Sequence, residues 1–182
     1  ATFDMTKSGA MLAWEYFHPD KPAPKLVQYV QDRDLWTWKL PDSRVITDAI
    51  FSYAMSMSVW DKLATKMNTL DGLSSVKLDG IAIERATRRQ VERIVDMTAR
   101  KMQIGGHEVF VANSPVYQSE VGERLLKEHP ETKFAACYFE DDKGNKGFSL
   151  RSRGDFDVSA VAKLYGGGGH AAASGFRLER WD

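Results

Sequence analysis

Cysteine is almost missing from this chain: Cys137 stands alone among 182 residues. A single thiol closes no internal disulfide, so a cross-linked secreted scaffold is excluded. Cys137 lies in the apolar run Phe134-Ala135-Ala136-Cys137-Tyr138-Phe139, which reads as core, so an inert buried thiol in a reducing compartment is the expectation. No Cys/His spacing of the zinc type accompanies the four histidines. Net charge is also missing, with 25 basic and 25 acidic residues. A blanket polyanion coat is thereby excluded, and any nucleic-acid contact must come from a local Arg/Lys cluster. No apolar run is long enough to span a membrane. The start, Ala1-Thr2-Phe3-Asp4-Met5, lacks the basic region and long apolar stretch of a signal peptide. It also lacks an initiator Met and enters a helical pattern at once, so it reads as a cut point inside a larger, cytoplasmic protein.

What is present is a chain with 43% hydrophobic residues, enough for one ordinary domain or two small ones. Thr6 or Ser8 can cap a first helix through Met11, Leu12, Trp14, Tyr16 and Phe17, which His18-Pro19 ends. Leu26, Val27, Tyr29 and Val30 form the apolar face of a second, ending in Gln31-Asp32-Arg33-Asp34-Leu35-Trp36. Further helices are predicted near 43–53 and 59–67. From 70 to 102, Ile83, Thr87, Val91, Ile94, Val95, Thr98 and Met102 recur at helical spacing on a narrow stripe. Such a helix suits a link between two domains.

The periodicity then changes. Gly105-Gly106 reads as the two-residue turn of a hairpin. A helix over 120–128 can start at Ser119 and stop before Pro130. Residues 134–140 read as a central strand, 148–153 as another strand, and Asp157 caps a helix carrying Val158, Val161, Ala162 and Tyr165. After a glycine run, 176–178 closes the sheet. The expected fold is α/β: a helical segment over 1–69, a linker helix over 70–102, and a domain over 103–182. That domain has a mixed sheet of about five strands flanked by helices.

Two motifs carry chemistry. Gly166-Gly167-Gly168-Gly169-His170 lets the backbone approach a ligand and line up N–H groups as an anion nest, with an imidazole donor beside them. The bland alternative is a helix C-cap followed by a surface linker. In Phe148-Ser149-Leu150-Arg151-Ser152-Arg153, strand alternation puts Ser149, Arg151 and Arg153 on one side. That side can fork onto a phosphate or stack on a base, or be a solvated face with surface ion pairs.

Taken together, this strand, the helix after Asp157, and Gly-Gly-Gly-His followed by Ala173-Ser174-Gly175-Phe176 closely resemble the DHH-associated C-terminal domain of DHH-family phosphoesterases. Ser174 is a small departure from the family's usual Ala. The resemblance implies that Gly167, Gly168, Gly169 and His170 bind substrate phosphate. It also implies that Arg151 contacts the nucleotide, with Ser149 and Arg153 beside it. More loosely, residues 8–34 resemble the end of the catalytic DHH domain. The family's last metal-ligand Asp then falls on Asp32, with Asp34 as competitor. A carboxylate suits Mn²⁺ or Mg²⁺. Asp32 and Asp34 can equally pair with Arg33 or Arg44 or cap a turn.

The family's Asp-His-His motif and upstream ligands are not in this sequence. The resemblance therefore implies a metal-dependent hydrolase of short oligonucleotides or nucleotides only for the intact protein. This chain alone is expected to be inactive and to hold no metal stably. His18, His107 and His129 stand apart from any matching acidic context, and His107, after a hairpin turn, and His129, at a helix end, read as surface residues. Short single-stranded nucleic acid or nucleotide phosphates are the implied partners, and homodimerisation is left open. Two other readings stand: a binding module without hydrolysis, and a polyphosphate or pyrophosphate hydrolase. Arg85, Arg88, Arg89, Arg93, Arg100 and Lys101 can track a nucleic-acid backbone. Glu84–Arg88 and Asp96–Arg100 at salt-bridge spacing favour a solvated linker instead.

Overall fold

A computed structural model describes residues 4 and 6–179 and divides the chain into two compact units, 1–86 and 87–182. In the first unit, Ser8 caps α1 (Gly9–Phe17) by accepting the Met11 N–H at 3.2 Å. No residue of α1 is buried, and Tyr16 and Phe17 are exposed. Helices α2 (Lys25–Asp34), α3 (Ser43–Ser52), α4 (Met57–Met67) and the start of α5 (Leu70–Thr98) close around Leu26, Tyr29, Val30, Ile46, Ile50, Leu63, Met67 and Val76. The apolar face expected for α2 is thus the one that packs.

The boundary between the units falls inside α5. This helix ends at Thr98, short of the expected 102, and Met102 belongs to a strand instead. The Thr98 hydroxyl donates to the Ile94 carbonyl at 2.7 Å and accepts the Asn113 N–H at 3.0 Å. The same hydroxyl thus bonds the helix's last turn and a strand of the sheet.

The second unit holds a six-stranded sheet in the order β1-β2-β3-β4-β6-β5. Its strands are β1 (Arg100–Ile104), β2 (His107–Asn113), β3 (Phe134–Glu140), β4 (Lys146–Ser152), β5 (Gly168–His170) and β6 (Ala173–Leu178). Only β2 and β3 run parallel, joined through α6 (Gln118–Glu128), because a parallel pair needs a crossover. The other pairs are antiparallel. The α/β class and the mixed sheet are as expected. The sixth strand was not anticipated, because it is built from the glycine run itself.

Both faces of the sheet are covered. Phe148, Leu150 and Phe176 pack with Val158, Val161 and Ala162 of α7 (Val158–Lys163). On the other face Ala112, Ala135 and Cys137 pack under Val121 and Leu125 of α6 and Val91 and Val95 of α5. Strand β3 is therefore apolar on both sides. Burial pushes the Cys137 thiol up to about 11, which makes it unreactive.

Candidate functional site

Helix α7 is capped at one end by Asp157, whose carboxylate accepts the Ser159 N–H at 2.8 Å. At the other end Gly166 takes φ +75°, and the Gly167 N–H returns to the Ala162 carbonyl at 2.9 Å. The helix C-cap thus takes up the first two glycines, and the left-handed φ makes glycine the fitting residue at Gly166. The next two do not form an open nest. Gly168 pairs with Gly175, Gly169 with Ser174 and His170 with Ala173, making β5 an edge strand.

These glycines are not equivalent. A Cβ on Gly167 would lie 2.2 Å from the Gly175 carbonyl oxygen, and one on Gly169 would lie 2.7 Å from the Ala173 carbonyl oxygen. Gly169 also has φ +142°. Close strand approach therefore explains both. At Gly168 a Cβ would meet nothing within 4 Å and φ is not positive, so the fold does not require glycine there.

Cross-strand register makes two rows on one face of the sheet. Gly168 lies opposite Gly175, and Gly175 opposite Ser149; His170 lies opposite Ala173, and Ala173 opposite Arg151. Directly opposed residues share a face, so a strip of glycine and alanine backbone separates the Ser149–Arg151 pair from His170. His170 is exposed and Arg151 half-buried.

Arg151 turns toward α6. Its Nη2 donates to Ser119 Oγ at 2.7 Å, and its Nη1 donates to the Leu150 carbonyl at 2.8 Å and to Ser149 Oγ at 3.2 Å. Of the five guanidinium N–H groups, these bonds use three, and among the described residues two are left without an acceptor. Burial lowers the Arg151 pKa and Glu120 opposes this, but a guanidinium stays charged. The stem of Arg151 lies against Gly122, where a Cβ would come within 2.9 Å of its Cγ. Ser119 is therefore not the helix cap expected of it. Tyr117, at φ +53°, occupies that position, and Ser119 orients the arginine. Arg153 lies beyond the end of β4, is exposed, and reaches the Glu123 carbonyl at 3.3 Å.

Asp32 is buried at the end of α2, in the other unit. Its carboxylate accepts the Thr37 hydroxyl at 2.5 Å, the Lys39 N–H at 2.9 Å and the Leu40 N–H at 3.0 Å. Burial alone would raise its pKa, yet these donors hold it at about 2. Ser43, a buried hydroxyl without a hydrogen bond of standard geometry, adds its dipole to the same effect. Asp32 thus fixes a loop in which Trp36, Trp38 and Asp42 all take left-handed φ. Asp34 is exposed at the helix end. Arg33 lies over the Phe51 ring and Arg44 over the Trp38 ring. Among the described residues no three His, Cys, Asp or Glu side chains converge to hold a metal ion.

The other histidines are occupied. His18 packs on Trp14, His107 meets Phe134 and Phe156 edge-on, and His129 stacks on Phe110 at 3.4 Å. On α5, among the described residues no ion pair joins Glu84 to Arg88 or Asp96 to Arg100. Glu92 instead pairs with Arg124 at 3.3 Å.

Residues 112–182, which include both rows of this face, match the DHHA1 domain. This part of the chain is a DHHA1 domain. The match bears out the resemblance read from the Gly-Gly-Gly-His motif and its flanking strands. The chain is 32% identical over 179 residues to uncharacterized protein R106 of Acanthamoeba polyphaga mimivirus, covering 95% of this chain and 41% of that protein. It is 28% identical over 179 residues to oligoribonuclease NrnB of Bacillus subtilis, covering 92% of this chain and 42% of NrnB. The DHHA1-containing chain thus spans about two fifths of the length of these relatives. A solved structure of the pGpG-specific phosphodiesterase PggH from Vibrio cholerae superposes with a TM-score of 0.48 at 12% identity, over 94% of this chain and 68% of that one. Among the described residues no helix is long and apolar enough to cross a membrane.

Proposed function

We propose that this chain is the substrate-holding part of a metal-dependent DHH-family phosphoesterase acting on nucleotides or short oligonucleotides. The observation that carries the reading is Gly168. Its neighbours Gly167 and Gly169 are glycine because strands crowd them, whereas Gly168 faces open space. With no side chain there, an anion can approach the backbone of this edge strand closely. His170 in the same strand and Arg151 on the same face, with two N–H groups to spare, supply charge-assisted donors for a phosphate. Ser149 adds a hydroxyl, and Arg153 is placed at the rim.

Asp32 is proposed as one carboxylate ligand of the intact protein's Mn²⁺ or Mg²⁺. Its donors orient it as the outer hydrogen bonds of a metal site orient a ligating carboxylate, and its low pKa keeps it anionic. One carboxylate does not make a metal site, and among the described residues no group of three candidate ligands forms. A bound divalent ion would supply Lewis acidity and an activated water. This chain's own contribution is to bind and orient the substrate.

The test is fluorescence anisotropy with a labelled, 5′-phosphorylated dinucleotide. His170→Ala should weaken binding by about one to two powers of ten, the worth of a charge-assisted hydrogen bond, with an unchanged thermal melt. Wild-type affinity in folded His170→Ala would remove the phosphate reading. Competition by inorganic polyphosphate as strong as that by the dinucleotide would replace the nucleotide with a polyphosphate substrate.

A further inference from the structure

Strand β5 is three residues long, two of them glycine, and all are exposed at the sheet edge. A strand of this composition holds its shape poorly by itself, since glycine carries the largest backbone entropy. Yet His170 ends it, at a two-residue hairpin through Ala171 and Ala172. Every carbonyl of this corner is tied down. Ala171 accepts the Val158 N–H at 2.8 Å and the Ser152 hydroxyl at 3.2 Å, and Ala172 accepts the Ser152 N–H at 3.1 Å. His170's own carbonyl accepts the hydroxyl of Ser174 at 2.7 Å.

Ser174 is 6% exposed, and its Oγ lies 2.9 Å from where a Cβ on Gly169 would stand. The hydroxyl thus occupies the room that Gly169 leaves and reaches the carbonyl of the next residue, His170. We propose that Ser174 is a positioning residue: by holding the His170 carbonyl it sets the backbone from which the imidazole reaches the bound phosphate. This rests on the reading of His170 as a phosphate donor. A buried hydroxyl also needs an acceptor simply to satisfy itself, so stability alone does not distinguish the two roles.

A double-mutant cycle on the full 182-residue chain separates them. Binding of the labelled, 5′-phosphorylated dinucleotide is measured for wild type, Ser174→Ala, His170→Ala and the double variant, each checked by thermal melt. Ser174→Ala should weaken binding about three- to tenfold when His170 is present, the range of one neutral hydrogen bond. In the His170→Ala background it should cost nothing. Equal losses in both backgrounds, or none in either, would overturn the proposal. If His170→Ala weakens binding while Ser174→Ala does not, this inference fails and the phosphate reading survives. If His170→Ala binds like wild type, both fail. Should Ser174→Ala not fold, Ser174→Cys, with similar size and a weaker donor, takes its place in the cycle with the same outcomes.

Discussion

Arg151 and His170 stand in one cross-strand row, each paired in register with Ala173 between them. Two strand spacings, about 10 Å of backbone, separate these cationic or cation-forming groups. The strip between them is kept low by Ala173, Gly175 and Gly168. An anion with some length, such as a nucleotide, fits this layout better than an isolated point charge.

The glycines of the run should divide by variant. Gly168→Val should leave the melt nearly unchanged, because open space surrounds that position, and should lower dinucleotide affinity by about tenfold or more. Gly167→Ala and Gly169→Ala should instead lower the melting temperature by several degrees. Their new Cβ atoms would collide with the Gly175 and Ala173 carbonyl oxygens, and such overpacking costs about 1–3 kcal/mol. Scanning calorimetry beside anisotropy checks both halves. A melt loss in Gly168→Val equal to that of Gly167→Ala would mean that the open position has a role in folding.

Gly122 should matter without touching ligand. A Cβ there would push on the Arg151 stem at 2.9 Å. Gly122→Ala should therefore weaken dinucleotide binding about threefold or more, for part of one charged hydrogen bond. Arg151→Lys should weaken it further, since an ammonium cannot keep the contacts to Ser119, Ser149 and the ligand in one plane. Calorimetric titration of both variants reads this directly. Wild-type affinity in Arg151→Lys would reduce Arg151 to a diffuse charge.

Asp32 should make stability depend on acid pH. Its folded pKa of about 2 lies below the ordinary 3.8, so the unfolded chain holds the proton more tightly. The resulting stabilisation, about 2 kcal/mol, is complete above about pH 5 and is lost as pH falls toward 2. Asp32→Asn should lower stability at neutral pH by a similar amount and flatten the pH dependence across that window. Urea titrations at several pH values measure it. Parallel slopes in wild type and variant would mean that other carboxylates dominate.

Asp157→Ala should cost about 1 kcal/mol, the usual worth of a helix N-cap. Because α7 leads into Gly166 and β5, the amide exchange of residues 166–170 should rise with it. Unchanged exchange there, with the melt lowered, would uncouple the cap from the loop.

Much of this molecule is legible in the chain because the signals are local. Leu26, Tyr29 and Val30 face one way on any helix built from that segment, and the alternation of Phe148 with Ser149 and Leu150 with Arg151 follows from strand geometry. The Gly105-Gly106 turn and the Asp157 cap are chemistry between near neighbours. What the sequence could not decide depends on contacts distant along the chain. The glycine run became a sixth strand because β6 offered it a ladder. Ser119 left its helix end for Arg151, 32 residues away. Gly122 lay in no motif, and the motifs holding Ser152 and Ser174 did not show what these two do, since all three roles exist only where β4, α6 and the β5–β6 corner meet. Periodicity sets which side a residue faces, but packing decides what it finds there.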